Sequence, residues 1–101
     1  MVYLQEEVEP KITVLVDNDW CRLEVEEACG LVSLHWPRLE WSIRHYRAYL
    51  QIFETVKKYI RALGYDKITV FLDKEDKRVK LIKLFGFERQ SKGVYELWVQ
   101  Q

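Results

Sequence analysis

The spacing of apolar side chains changes once along this chain, from two to about 3.6 residues, and that change limits the folds open to it. Up to Ile43 apolar and polar residues alternate. Leu23 and Val25 are separated by Glu24; Val32, Leu34 and Trp36 form a second series; Leu39, Trp41 and Ile43 a third. From Tyr46 onward Tyr49, Leu50, Phe53, Val56, Ile60 and Leu63 fall on one helical stripe, opposite Glu54, Lys57, Lys58 and Arg61. A chain that is strand-like first and helix-like afterwards is neither all-β nor all-α.

The punctuation supports this order. Ile12 to Val16 is a short β-branched run that stops at Asp17-Asn18-Asp19, a turn signal. The alternating runs 22–26, 32–36 and 39–43, joined by tight connections, predict an antiparallel meander. Gly64 stands where a helix C-cap belongs. Ile68 to Leu72 is nearly all apolar, as expected of a strand buried on both faces. Asp73 to Asp76 offer capping chemistry for a second helix with Val79, Leu81, Ile82, Leu84 and Phe85 on its apolar face. That helix ends at Gly86. Ser91-Lys92-Gly93 predicts a turn, and Val94 to Val99 a last strand. A helix between the Ile43 and Ile68 strands is a crossover, so the two are expected to be parallel neighbours. The expected class is α/β, with a mixed, mostly antiparallel sheet, a parallel central pair, and both helices in the C-terminal half.

With 101 residues, 49% of them hydrophobic and 14% aromatic, the chain suits one domain with its own core. Residues 1–101 are taken as that domain, with residues 1–11 an acidic arm, either a strand or loosely ordered. Residues 1–40 carry nine acids against three bases, and residues 41–101 thirteen bases against seven acids. The net charge of zero therefore splits into halves of about −6 and +6. Either the halves pair within the fold, or the basic half presents a surface to phosphates or an acidic partner. No apolar run approaches a membrane span, and no secretory h-region opens the sequence. Cys21, Cys29, His35 and His45 are too sparse for a metal site, and reduced cysteines are expected.

The stretch from Tyr46 to Gln90, helix–Gly–strand–helix–"GF", resembles the second half of the GNAT family of acyl-CoA N-acyltransferases. The likeness covers roughly residues 20–101. In that family a turn reading Gln/Arg-x-x-Gly-x-Gly/Ala, at a helix N-terminus, binds the pyrophosphate of CoA through backbone amides. Counted back from Gly64, the matching turn is Arg44-His45-Tyr46-Arg47-Ala48-Tyr49. Its first position is basic, as in the family, but Arg47 and Tyr49 stand at the glycine positions. Phosphate binding there would pass to the Arg44 and Arg47 side chains. The family's thiolate-protonating Tyr maps to Ile82, which cannot act as an acid. The Asn that contacts the CoA arm maps near Glu75. Glu40 is the candidate general base, weighed against an ordinary outward-facing strand residue. The turn between Val16 and Arg22 leaves no room for the two helices that help form the family's acceptor site.

This pattern is similar to the small, degenerate GNAT-like proteins of tailed bacteriophages, among them internal and assembly-associated virion proteins. The resemblance implies a non-enzymatic structural or interaction module, located in the host cytoplasm or the virion and not secreted. It implies no cofactor, with acetyl-CoA the cofactor if the chain is active. The alternatives are an acetyltransferase with a divergent pyrophosphate turn, and a small inhibitor of a host protein. Protein partners are expected, either other virion components or a second copy, and no membrane. Trp36, Trp41 and Trp98 are candidates for an exposed binding patch, against core packing. Lys74, Lys77, Arg78, Lys80, Lys83, Arg89 and Lys92 read as a solvated face rather than a nucleic-acid footprint. His45 reads as a surface residue rather than a base or phosphate ligand.

Overall fold

A computed structural model describes residues 9–40 and 42–99. Four strands precede the second helix and two follow it. They are β1 (Lys11–Asp17), β2 (Cys21–Ala28), β3 (Leu31–Leu39), β4 (Lys67–Phe71), β5 (Glu88–Ser91) and β6 (Val94–Trp98). Helix α1 spans Tyr46–Ala62 and α2 spans Arg78–Leu84, and a 3-10 turn over Ile43–His45 leads into α1. The strands form one six-stranded sheet in the order β1-β2-β3-β4-β6-β5. Every neighbouring pair is antiparallel except β3 and β4.

The meander is built as the alternation requires. Cys21, Leu23 and Val25 of β2 and Val32, Leu34 and Trp36 of β3 are buried on one face, with their neighbours half-buried on the other. Cys29 and Gly30 close the β2–β3 hairpin with φ of 54° and 76°. Two successive positive values match the right-handed twist of the strands they join.

Both helices cover that same face. Tyr49, Phe53, Val56 and Ile60 of α1 join Val79 and Ile82 of α2 in one core with the buried strand residues. Phe53 links the layers, stacking on Phe85 at 4.4 Å and lying 5.6 Å from Phe87. Burying the helical stripe against the sheet is the main source of stability here, since isolated helices of this length are marginal in water. The opposite sheet face carries Ile12, Val14, Glu24, Glu26, His35, Lys67, Phe71, Glu96 and Trp98, and no described element covers it.

Three expectations need correction. Leu39 and Ile43 do not share a third strand of the meander: β3 continues through Pro37 to Leu39, and Ile43 enters the 3-10 turn with 88% of its surface exposed. The register with β2 shifts between Arg22 and Glu24, so the prolyl nitrogen falls at a bulge and costs the ladder no donor. The parallel neighbour of β4 is accordingly β3. Lastly, β4 is not buried on both faces. Ile68, Thr69 and Val70 are buried, but Phe71 is 57% exposed because both helices lie on the other side.

Candidate functional site

β3 and β4 pair at a single position, Ser33 with Thr69. Where their C-terminal halves would otherwise continue the ladder lies a cleft of about 290 Å³, lined by Leu34 to Pro37, Val70 to Leu72 and Arg78. The segments leading into α1 and α2 leave the sheet at this end, beyond the carboxyl ends of adjacent parallel strands. In open α/β sheets that is where ligands most often bind.

Arg78 spans the cleft. Its Nη1 donates to the carbonyl of Trp36 at 2.7 Å, while Nε and Nη2 hold the two carboxylate oxygens of Asp76 at 2.9 and 2.6 Å. The same carboxylate accepts the backbone N–H of Arg78, the first residue of α2, at 2.9 Å. The Arg78 hydrogen bonds hold the Asp76 carboxyl below its ordinary range, and Asp76 raises the Arg78 guanidinium in turn.

The start of α1 is tied up internally. The N–H of His45 donates to the Ser42 carbonyl at 3.0 Å, and the N–H of Tyr46 donates to Ile43. These bonds use two amides just where the resemblance would place a phosphate. The His45 ring stacks on Trp20 at 4.3 Å, and its Nδ1 lies 3.2 Å from the Ser42 hydroxyl. Tyr49, at the second glycine position, is 3% exposed; its ring packs edge-on to Trp20, and its hydroxyl donates to the Glu40 carbonyl. Burial, reinforced by Cys21 and Glu40, pushes its phenol up to about 12, so it is a neutral donor at ordinary pH.

The remaining predicted residues divide by exposure. Arg44, Arg47, Glu40 and Glu75 are exposed, and Ala48 is half-buried. Glu40 lies just beyond β3 rather than within a strand. Arg44 and Arg47 flank the start of α1, and Glu75 lies in the turn before α2, at the same end of the sheet. No hydrogen bond or ion pair among the described residues joins Glu75 to either arginine. Ile82 is fully buried. Trp36 is a core residue, 5% exposed, its indole N–H buried without an acceptor among the described residues. Trp98 is 60% exposed on the open sheet face, with the Lys67 ammonium 5.2 Å from its ring centre. Trp41 lies outside the described residues.

Cys21 is buried, which pushes its thiol up, and Cys29 sits exposed at the hairpin tip. Among the described residues no group of three or more His, Cys, Asp or Glu is placed to hold a metal. No described helix is long and apolar enough to cross a membrane.

Residue spacing did not single out Arg78, which sits in a run of lysines. Nor did it foresee how the charges are arranged. The ion pairs Arg22–Asp17, Arg22–Glu24, His35–Glu26 and Arg38–Asp17 stay within the acidic half. Lys57–Glu54, Lys67–Glu96 and Arg78–Asp76 stay within the basic half. Among the described residues no ion pair joins the two, so internal pairing does not cancel the charge imbalance of the sequence.

No protein-family model, curated protein or solved structure matches this chain.

Proposed function

We propose that this chain is a reduced GNAT-like domain that has given up acyl transfer and serves as an interaction module, of the kind tailed bacteriophages use in the virion or its assembly. The parallel β3–β4 pair, the single ladder position between those strands and the two helices after the meander support the likeness of fold. The observation that carries the loss of chemistry is Arg78. The chain's own guanidinium occupies the cleft and takes the Trp36 carbonyl. In a working acyltransferase of this type, that strand backbone would face the cofactor arm. The buried Tyr49 at a glycine position and the buried Ile82 at the acid position agree with it.

One observation favours the acyltransferase alternative. α1 has no acidic residue in its first turn, and Arg44 and Arg47 are exposed there without an ion-pair partner among the described residues. A diphosphate held by those side chains would need both arginines and the helix dipole.

Titration of acetyl-CoA and CoA by calorimetry, with an amine-acetylation assay on the same sample, separates the two. The interaction-module reading expects neither heat nor turnover at millimolar cofactor. Micromolar binding lost in Arg44→Ala would establish the alternative.

A further inference from the structure

We infer that the outer face of the helical layer binds the phosphate backbone of a DNA duplex. This deepens the interaction-module reading and rests on it, naming the chemistry of the partner. From Arg44 to Ala62 the chain carries five Lys or Arg and one acid, and from Lys77 to Leu84 four and none. Lys57 and Arg78 are held in ion pairs, and Arg61 donates to the Val99 carbonyl. Arg44, Arg47, Lys58, Lys77, Lys80 and Lys83 are exposed, and no ion pair among the described residues holds any of them. The meander differs: its Arg22 and Arg38 both bind Asp17.

The fold turns these charges outward together. α1 buries Tyr49, Phe53, Val56 and Ile60, and at about 3.6 residues per turn Arg47, Glu54 and Lys58 fall on the opposite side. Glu54 is the only acid in α1, and Lys57 already binds it. α2 buries Val79, Leu81 and Ile82 and leaves Lys80 and Lys83 exposed, with Lys77 exposed at its N-cap. Both helices pack on one side of the sheet, so their uncompensated positive charge shares one surface. The chain as a whole is neutral, and the attraction therefore belongs to this face rather than to net charge.

The face offers charge without an aromatic anchor. Among the described residues the large exposed rings, Phe71 and Trp98, lie on the other side of the sheet. Phe53 and Phe85 stack on each other beneath the helices. Leu84, 60% exposed, is too small an apolar patch to hold a protein. Protein hot spots draw on Trp, Tyr and Arg seated in pockets, and single strands on rings that stack with bases. A duplex backbone asks only for Lys and Arg spread over one surface. Spacing in the sequence reads these lysines as a solvated face; their lack of internal partners is what the fold adds.

The test is fluorescence anisotropy of a labelled DNA duplex titrated with the full chain at about 50 mM and about 200 mM salt. With Arg47, Lys58, Lys77, Lys80 and Lys83 each neutralising a phosphate, log K should fall with log salt at a slope of about −4.5, a loss of roughly a few hundred-fold over that range. Lys77→Gln/Lys80→Gln/Lys83→Gln should weaken binding and bring the slope to about −2, and Lys58→Gln should reduce its steepness by about 1. Lys11→Gln, at an exposed lysine on the edge strand β1, should change neither. Far-UV circular dichroism checks each fold. No binding at the lower salt, or binding indifferent to the lysine variants, overturns the proposal. A chain that binds polyglutamate or phosphatidylserine vesicles and not the duplex overturns it in favour of an acidic polypeptide or a lipid surface. Acetyl-CoA turnover by the same sample would instead sink the non-enzymatic reading, so the two failures are distinguishable.

Discussion

The guanidinium of Arg78 reaches from the first turn of α2 to the main-chain carbonyl of Trp36, 2.7 Å away across the gap between β3 and β4. At this point β3 has no ladder partner on its β4 side, and a carbonyl there would need water or a side chain. Arg78 supplies it, and Asp76 holds the guanidinium in place through two parallel hydrogen bonds. The cleft is bridged by a residue of the fold itself.

Arg78→Ala should therefore destabilise the protein by about 2 kcal/mol, the usual size for a charge-assisted hydrogen bond to a backbone group. The side chain is 33% exposed, which argues against a larger value. Arg78→Lys should recover less than half, because an ammonium cannot hold both Asp76 oxygens and the carbonyl in one plane. Urea denaturation of the three proteins measures both. A stability unchanged within error in Arg78→Ala would mean that the bridge is incidental.

The Asp76 carboxyl, held down by Arg78, gives the pair a defined pH dependence. A carboxylate whose folded value is depressed contributes stability above its unfolded value, and that contribution fades as pH falls through the folded value. The stability gap between wild type and Asp76→Asn should be constant above the ordinary aspartate value of 3.8 and should shrink below it. Chemical denaturation at a series of acidic pH values follows the gap. A gap that widened on acidification would contradict the ion-pair account.

Introducing the GNAT acid and turn glycine at the positions the resemblance assigns them should harm this chain rather than make it an enzyme. Ile82 is fully buried, so Ile82→Tyr overpacks the core at a cost of about 1–3 kcal/mol. Tyr49→Gly removes a buried ring and places glycine in a helix, at a cost of about 3–5 kcal/mol. Neither variant should acetylate an amine. Thermal denaturation with an acetyl-CoA consumption assay reads both properties, and acetylation by either variant would reopen the enzymatic reading.

Cys29 holds a φ of 54° at the hairpin tip, a conformation that costs a side-chain-bearing residue about 1 kcal/mol. Cys29→Gly should raise the melting temperature by about 4 °C or less, since glycine relieves this strain but gains chain entropy when unfolded. A lower melting temperature would mean that the Cys29 side chain makes a stabilising contact.

The order of elements was legible because each register of apolar spacing is long and clearly bounded. The meander alternates through Cys21–Val25 and Val32–Trp36, and the helical stripe runs unbroken from Tyr46 to Leu63. The series Leu39, Trp41, Ile43 has the same period but only three members. Spacing alone does not show that the chain has left the sheet by Ile43. Nor does it tell which face of β4 a helix will cover, and Phe71 is exposed for that reason. Arg78 was hidden among like charges, since a bridging arginine and a solvated one look alike until α2 is set beside β3. The charge split between the halves was plain from the sequence. Whether those charges pair across the fold depends on which strands and helices become neighbours.

Calorimetric titration of acetyl-CoA into the purified chain is the most direct test of the central claim. With the cleft bridged by Arg78 and the α1 turn filled by Tyr49, no binding heat should appear at millimolar cofactor. Saturable binding in the micromolar range would contradict the account and mark the cleft as a working acyl-CoA site.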